Sequence, residues 1–194
     1  MIERRVVVLV SLLWAQSALA HVGHDAALGM LTGFLHPLSG WDHILAMVAV
    51  GLWGAQLGAP AIWMLPLAFP LVMAIGGMFG FLGVPVPGIE YGIAASAIVL
   101  GAAVAYEARP PIAIAALAVG AFAIFHGHAH GTELPQGGNA LLYSMGFVIA
   151  TGCLHAIGVG IGIAHHQPWG RKLLRAAGTA VAAGGFFFMW TALA

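Results

Sequence analysis

The sequence predicts an all-α polytopic membrane protein: about six transmembrane helices, preceded by a short re-entrant half-helix. Its 194 residues are 61% hydrophobic and 6% charged, far from the composition of soluble globular domains. No charged residue occurs between Ile44 and Ile89, a run long enough for two crossings of about 20 residues each. Short breaker segments then divide the apolar chain at regular intervals: Gly58-Ala-Pro60, Val84-Pro-Val-Pro-Gly88, Arg109-Pro-Pro111, Pro135-Gln-Gly-Gly138 and Gln167-Pro-Trp-Gly170.

Taken in order, residues 1–20 have the three parts of a secretory signal. Arg4 and Arg5 form the charged region, Val6 to Leu13 the apolar core, and Ala18-Leu-Ala20 the small-residue cleavage site. Cleavage makes His21 the new N-terminus, its amine and ring joined by His24 as a capture site for metal. An uncleaved anchor helix is the alternative, and both put His21 on the outer face. Residues 21–194 then form a single transmembrane domain. Its first piece, 25–36, is apolar but about a dozen residues long, too short to span, and is expected to turn back at Pro37 to Gly40.

The breakers set the spans at 41–57, 61–82, 89–106, 112–125, 140–164 and 173–193. Arg109 lies in the third connection, and Arg171, Lys172 and Arg175 in the fifth. Odd-numbered connections share a side, and basic residues mark the cytoplasm, so both termini face outward. Glycine runs such as Gly76-Gly77 with Gly80, and Gly158 with Gly160 and Gly162, are read as sites of close helix approach.

Composition also excludes functions. Net charge is formally zero and the basic residues are scattered, which leaves no stripe to hold nucleic acid. One cysteine, Cys153, permits neither an intrachain disulfide nor a thiolate cluster. No G-x-x-x-x-G-K-[ST] motif is present, so this chain does not hydrolyse ATP.

Against that hydrocarbon background stand two polar clusters, His36-Pro-Leu-Ser-Gly-Trp-Asp42-His43 and Phe125-His126-Gly-His128-Ala-His130-Gly-Thr-Glu133. Ionisable residues within a bilayer cost several kcal/mol unless paired, hydrated or bound to something. Imidazole and carboxylate together suit a borderline divalent cation. The metal candidates are therefore His36, Asp42, His43, His126, His130 and Glu133. Ser39 offers a helix cap with Asp42 in the first turn, which would explain Asp42 structurally but neither histidine beside it. A helix continued past Phe125 sets His126, His130 and Glu133 on one face and turns His128 away; a solvated histidine-rich loop is the alternative. Glu90 at the start of the third span, His155 within the fifth and His21 are pathway candidates. Met47 shares a face with His43 but is more simply core filler. His165 and His166 lie at the far end as an exit relay or as interfacial residues.

The two motifs His36-x5-Asp42-His43 and Phe125-His126-Gly-x-Ala-His130-Gly-x-Glu133 resemble those of the HupE/UreJ family of nickel and cobalt permeases, associated with hydrogenase and urease maturation. The likeness runs over essentially the whole chain. It implies a secondary transporter, not an enzyme, that brings Ni(II) or Co(II) across the inner membrane as substrate and needs no prosthetic group. Residue chemistry alone also admits an intramembrane zinc hydrolase, with Glu133 or Asp42 as general base, or a non-catalytic metal-sensing subunit. A transporter needs polar residues that continue toward the inner face, and His155, His165 and His166 supply them.

Overall fold

The computed structural model describes residues 29–134 and 139–194. The expected signal sequence, His21 and His24 lie outside the described residues, as does the start of the half-helix.

Among the described residues, six complete α-helices build the bundle: α1 Trp41–Leu57, α2 Ala61–Phe81, α3 Ile89–Ala105, α4 Ile112–Thr132, α5 Ala140–Gly162 and α6 Pro168–Leu193. Each starts where the sequence supplies a break. Gly40 precedes α1, Pro60 α2, Gly88 in the left-handed region α3, Pro111 α4, and Pro168 occupies the first turn of α6. Asn139 caps α5 by accepting from the Leu142 amide. Among the described residues, four helices are long and apolar enough to cross a membrane: Ala61–Phe81, Ile112–Thr132, α5 with its 3-10 extension to His166, and Pro168–Leu193. Ile89–Ala105 is apolar but shorter. Large apolar side chains such as Trp63, Leu71, Leu117, Phe187 and Trp190 point outward, as lipid-facing residues do.

Helix α1 is central and touches α2, α3, α5 and α6. Its register with α5 is set by small residues. A Cβ on Gly51 would collide with the His155 carbonyl, and one on Gly158 with that of Val48, so only glycine lets these backbones meet. Trp53 donates its indole N–H to the Ala108 carbonyl at 2.9 Å, which ties the loop after α3 to α1.

Three expectations need correction. The fourth span does not stop at 125: α4 runs to Thr132, because Gly127 and Gly131 pack against the α2 backbone at Met73 and Gly77 and hold the histidine-rich stretch helical. The last helix starts at Pro168, not 173, since proline is tolerated in a first turn. Ser39 does not cap α1. Its hydroxyl turns back and donates to the His36 carbonyl at 2.6 Å, while Gly40 holds the cap position without a side-chain bond.

Residues 29–35 are helical and lead into a 3-10 turn, His36–Leu38. This short helix lies on the first turns of α5, where Gly33 meets the Tyr143 backbone and Gly146 that of Met30. Its end, the start of α1, the end of α4 and the start of α5 thereby converge on one end of the bundle.

Candidate metal centre

At that end His36 and the α4 terminus meet. His36 Nε2 lies 2.9 Å from Glu133 Oε2 and 3.0 Å from His130 Nδ1, and His130 Nδ1 lies 3.3 Å from the same carboxylate oxygen. The three ligand atoms sit within 4.8 Å of one another. Donors about 3 Å apart are what metal–nitrogen bonds of about 2.1 Å require around a single ion. Two helix C-termini, that of residues 29–35 and that of α4, meet the N-termini of α1 and α5 here, so the helix dipoles offset one another and the Glu133 carboxylate supplies the local negative charge. Hydrogen bonding to His130 holds the Glu133 carboxyl below its ordinary pKa; partial burial acts against this, and His36 adds a further hydrogen bond.

From this mouth the histidines continue inward. His130 Nε2 lies 3.2 Å from His43 Nδ1, and the His43 and His126 rings stand edge-on at 5.4 Å. Exposure falls along the series: 55% for the Glu133 side chain, 27% for His36, 18% for His130, then 2% for His43 and 1% for His126. Phe147 of α5 packs against His36, His43 and His130, an apolar wall that orients all three rings. His43 Nε2 is buried with no partner among the described residues. A neutral arrangement consistent with this has His36 Nε2–H and His130 Nδ1–H both donating to Glu133 Oε2, and His43 Nδ1–H donating to His130 Nε2. His43 Nε2 is then left over, a buried acceptor without a donor that costs about 1–3 kcal/mol.

Ser96 on α3 orients His126. Its hydroxyl donates to the Ile93 carbonyl at 2.6 Å, so it accepts from His126 Nε2–H at 2.9 Å. Sequence reasoning missed Ser96, whose signal was a lone hydroxyl in an apolar helix. It also missed Phe69, which packs edge-on against both His126 and His155 at 5.6 Å between centroids.

Other candidates lie elsewhere. Asp42 does not join the histidines: its carboxylate accepts from the His43 amide at 2.8 Å and lines a separate cavity of about 360 Å³. Glu90, Thr191 and Phe188 line that cavity too, between α1, α3 and α6. Neighbouring positions on a helix diverge by about 100°, which is why Asp42 and His43 serve different sides of α1. His128 points away from the cluster, as the helical reading required, and donates from Nε2 to the Val84 carbonyl at 2.8 Å. Met47 is fully buried in the core. His155 lies deeper on α5, while His165 and His166 stack at 3.9 Å at the opposite end of the bundle.

Among the described residues, an all-helical bundle with apolar outer faces and a buried series of imidazoles defines a membrane protein with a polar, histidine-lined interior. The chain matches the family described as HupE / UreJ protein over residues 8–188 and belongs to it. It is 48% identical to Protein HupE of Rhizobium leguminosarum bv. viciae over 166 residues, 86% of each chain. No solved structure matches.

Proposed function

We propose that this protein is a secondary permease that brings Ni(II), and also Co(II), across the bacterial inner membrane to supply the maturation of nickel enzymes such as hydrogenase or urease. The observation that carries this reading is the convergence of His36, His130 and Glu133 at a half-exposed mouth, continued inward by His43 and His126. A hydrolase needs one cluster and a substrate cleft; a ladder of graded burial suits a moving ion. The preference for nickel rests on family membership, since imidazole and carboxylate accept several divalent cations.

In this reading the six helices cross the bilayer, the mouth opens outward, and residues 1–20 are removed so that the mature chain begins outside at His21. Inward movement of each positive charge gains about 2.3 kcal/mol per 100 mV of membrane potential, and roughly twice that for a divalent ion. Mass spectrometry of the mature N-terminus tests the processing: an intact Met1 rules cleavage out.

The decisive experiment is uptake by proteoliposomes presented separately with Ni(II), Co(II) and Zn(II), with and without a pH gradient. Nickel should enter at least tenfold faster than into protein-free liposomes. Acceleration by the gradient assigns proton coupling, and dependence on potential alone assigns facilitated diffusion. Entry of all three metals at the protein-free rate sinks the permease reading.

A further inference from the structure

Below the ladder lies a polar group that the outer centre does not use. His155 is 1% exposed, and both its ring nitrogens lack a partner among the described residues. Thr151, four residues earlier and on the same face of α5, is fully buried with its hydroxyl equally unpaired. An imidazole and a hydroxyl left unsatisfied side by side in an apolar interior each cost about 1–3 kcal/mol, which a purely structural role does not repay.

A third polar atom comes from α2. Pro70 has no N–H to offer the carbonyl four residues back, so the Pro66 carbonyl is released from the helical ladder. The Pro66 backbone lies near the His155 ring, with no hydrogen bond made between them. Freed helix carbonyls close to the centre of a bundle are the ligands that transporters use for cations in passage. The level is central: Gly51, which meets the His155 backbone, is about 12 Å along α1 from His43 at 1.5 Å per residue. Phe69, fully buried, packs edge-on against both His126 and His155, so its ring lies between the two levels.

We propose that His155, Thr151 and the Pro66 carbonyl form a second, inner stop for a divalent transition-metal cation, reached from the His126 level past Phe69. One nitrogen and two neutral oxygens bind such a cation more weakly than the imidazole and carboxylate group at the mouth. A weak inner stop lets the ion leave, which conduction requires. This inference rests on the permease reading and deepens it.

Two readouts test it. In nanodiscs, Cd(II) is added to a Cys153→Ser background and to the same background carrying His155→Cys; Cys153 itself is exposed on the outer surface of the bundle. A cadmium–thiolate charge-transfer band at equimolar Cd(II) in the second protein and not in the first supports an ion-accessible stop. Absence of the band overturns it, whether or not the wild-type protein transports. In proteoliposomes, His155→Leu and Thr151→Val should lower the maximal nickel uptake rate at least tenfold and threefold, with half-saturating nickel unchanged because the mouth is intact. Pro70→Ala returns an N–H to the Pro66 carbonyl and should slow uptake while leaving the protein at least as heat-stable. Wild-type rates in all three variants overturn the inner stop and leave the permease reading standing. Loss of uptake by the wild-type protein, with the cadmium band present, removes the permease reading and leaves the site.

Discussion

His130 engages two other histidines at once: Nδ1 lies 3.0 Å from His36 Nε2, and Nε2 lies 3.2 Å from His43 Nδ1. One ring therefore links the half-exposed mouth to the buried interior. Its position depends on α4 continuing through the Gly-His-rich stretch, since a helix that ended at 125 would leave His130 in a loop.

The first prediction separates His130 from its neighbour two residues back. His130→Ala should lower nickel uptake at least a hundredfold, because it removes a mouth ligand and the link to His43 together. His128→Ala loses only the bond to the Val84 carbonyl, worth about 0.5–1.5 kcal/mol of stability. Its uptake per folded molecule should stay within about threefold of wild type, a margin corresponding to about 0.7 kcal/mol, below the cost of losing a ligand. Paired measurements of thermal stability and uptake check this; equal loss of uptake in both variants would mean a flexible capture loop.

Ser96→Ala carries the second prediction. The hydroxyl is the acceptor for His126 Nε2–H, so its removal leaves the ring buried and free to rotate. Loss of an orienting partner costs metal sites about 10–100-fold in affinity. Half-saturating nickel should rise by that factor, and adding Ser96→Ala to His126→Ala should cost little more. Full additivity of the two would show that Ser96 acts elsewhere.

Much of this architecture was legible in the chain because hydropathy and breakers act locally. Gly58, Pro60, Gly88 and Pro111 end or begin helices where backbone chemistry requires it, whatever packs around them. The two motifs stood out because imidazole and carboxylate are costly in lipid. What escaped was tertiary: the helical and loop readings of the stretch through Gly127 and Gly131 are separated only once α2 lies against it, and Ser96 is one hydroxyl among alanines until His126 faces it. Asp42 was grouped with His43 by adjacency in sequence, which on a helix separates side chains.

Acidity supplies the third prediction. The Glu133 carboxyl is held below its ordinary pKa, first by the hydrogen bond to His130, so its folded-state contribution is complete above the unfolded carboxylate value. That contribution disappears only as pH falls through the lowered value, and Glu133 stays ionised across the range in which uptake is assayed. Imidazole ligation competes with protons, so uptake should fall with acid. Glu133→Gln should reduce uptake at every pH, and uptake should still fall with acid because the imidazole ligands remain. Loss of the acid dependence in the variant would make Glu133 the titrating group.

The last prediction concerns the cavity that Asp42 and Glu90 share on the other side of α1. Two carboxylates lining one cavity of about 360 Å³ should behave as a unit, because groups with a shared environment couple whereas distant ones add. Asp42→Asn and Glu90→Gln are each expected to lower nickel uptake about tenfold, and the double variant no further than the worse single, a coupling of about 1.4 kcal/mol. Combined with Glu133→Gln, whose carboxylate serves the histidine mouth, either change should instead multiply its effect. Uptake rates across the full set of single and double variants give both numbers. Additivity within the Asp42 and Glu90 pair, with coupling to Glu133, would place both carboxylates on the histidine path and contradict the division by α1.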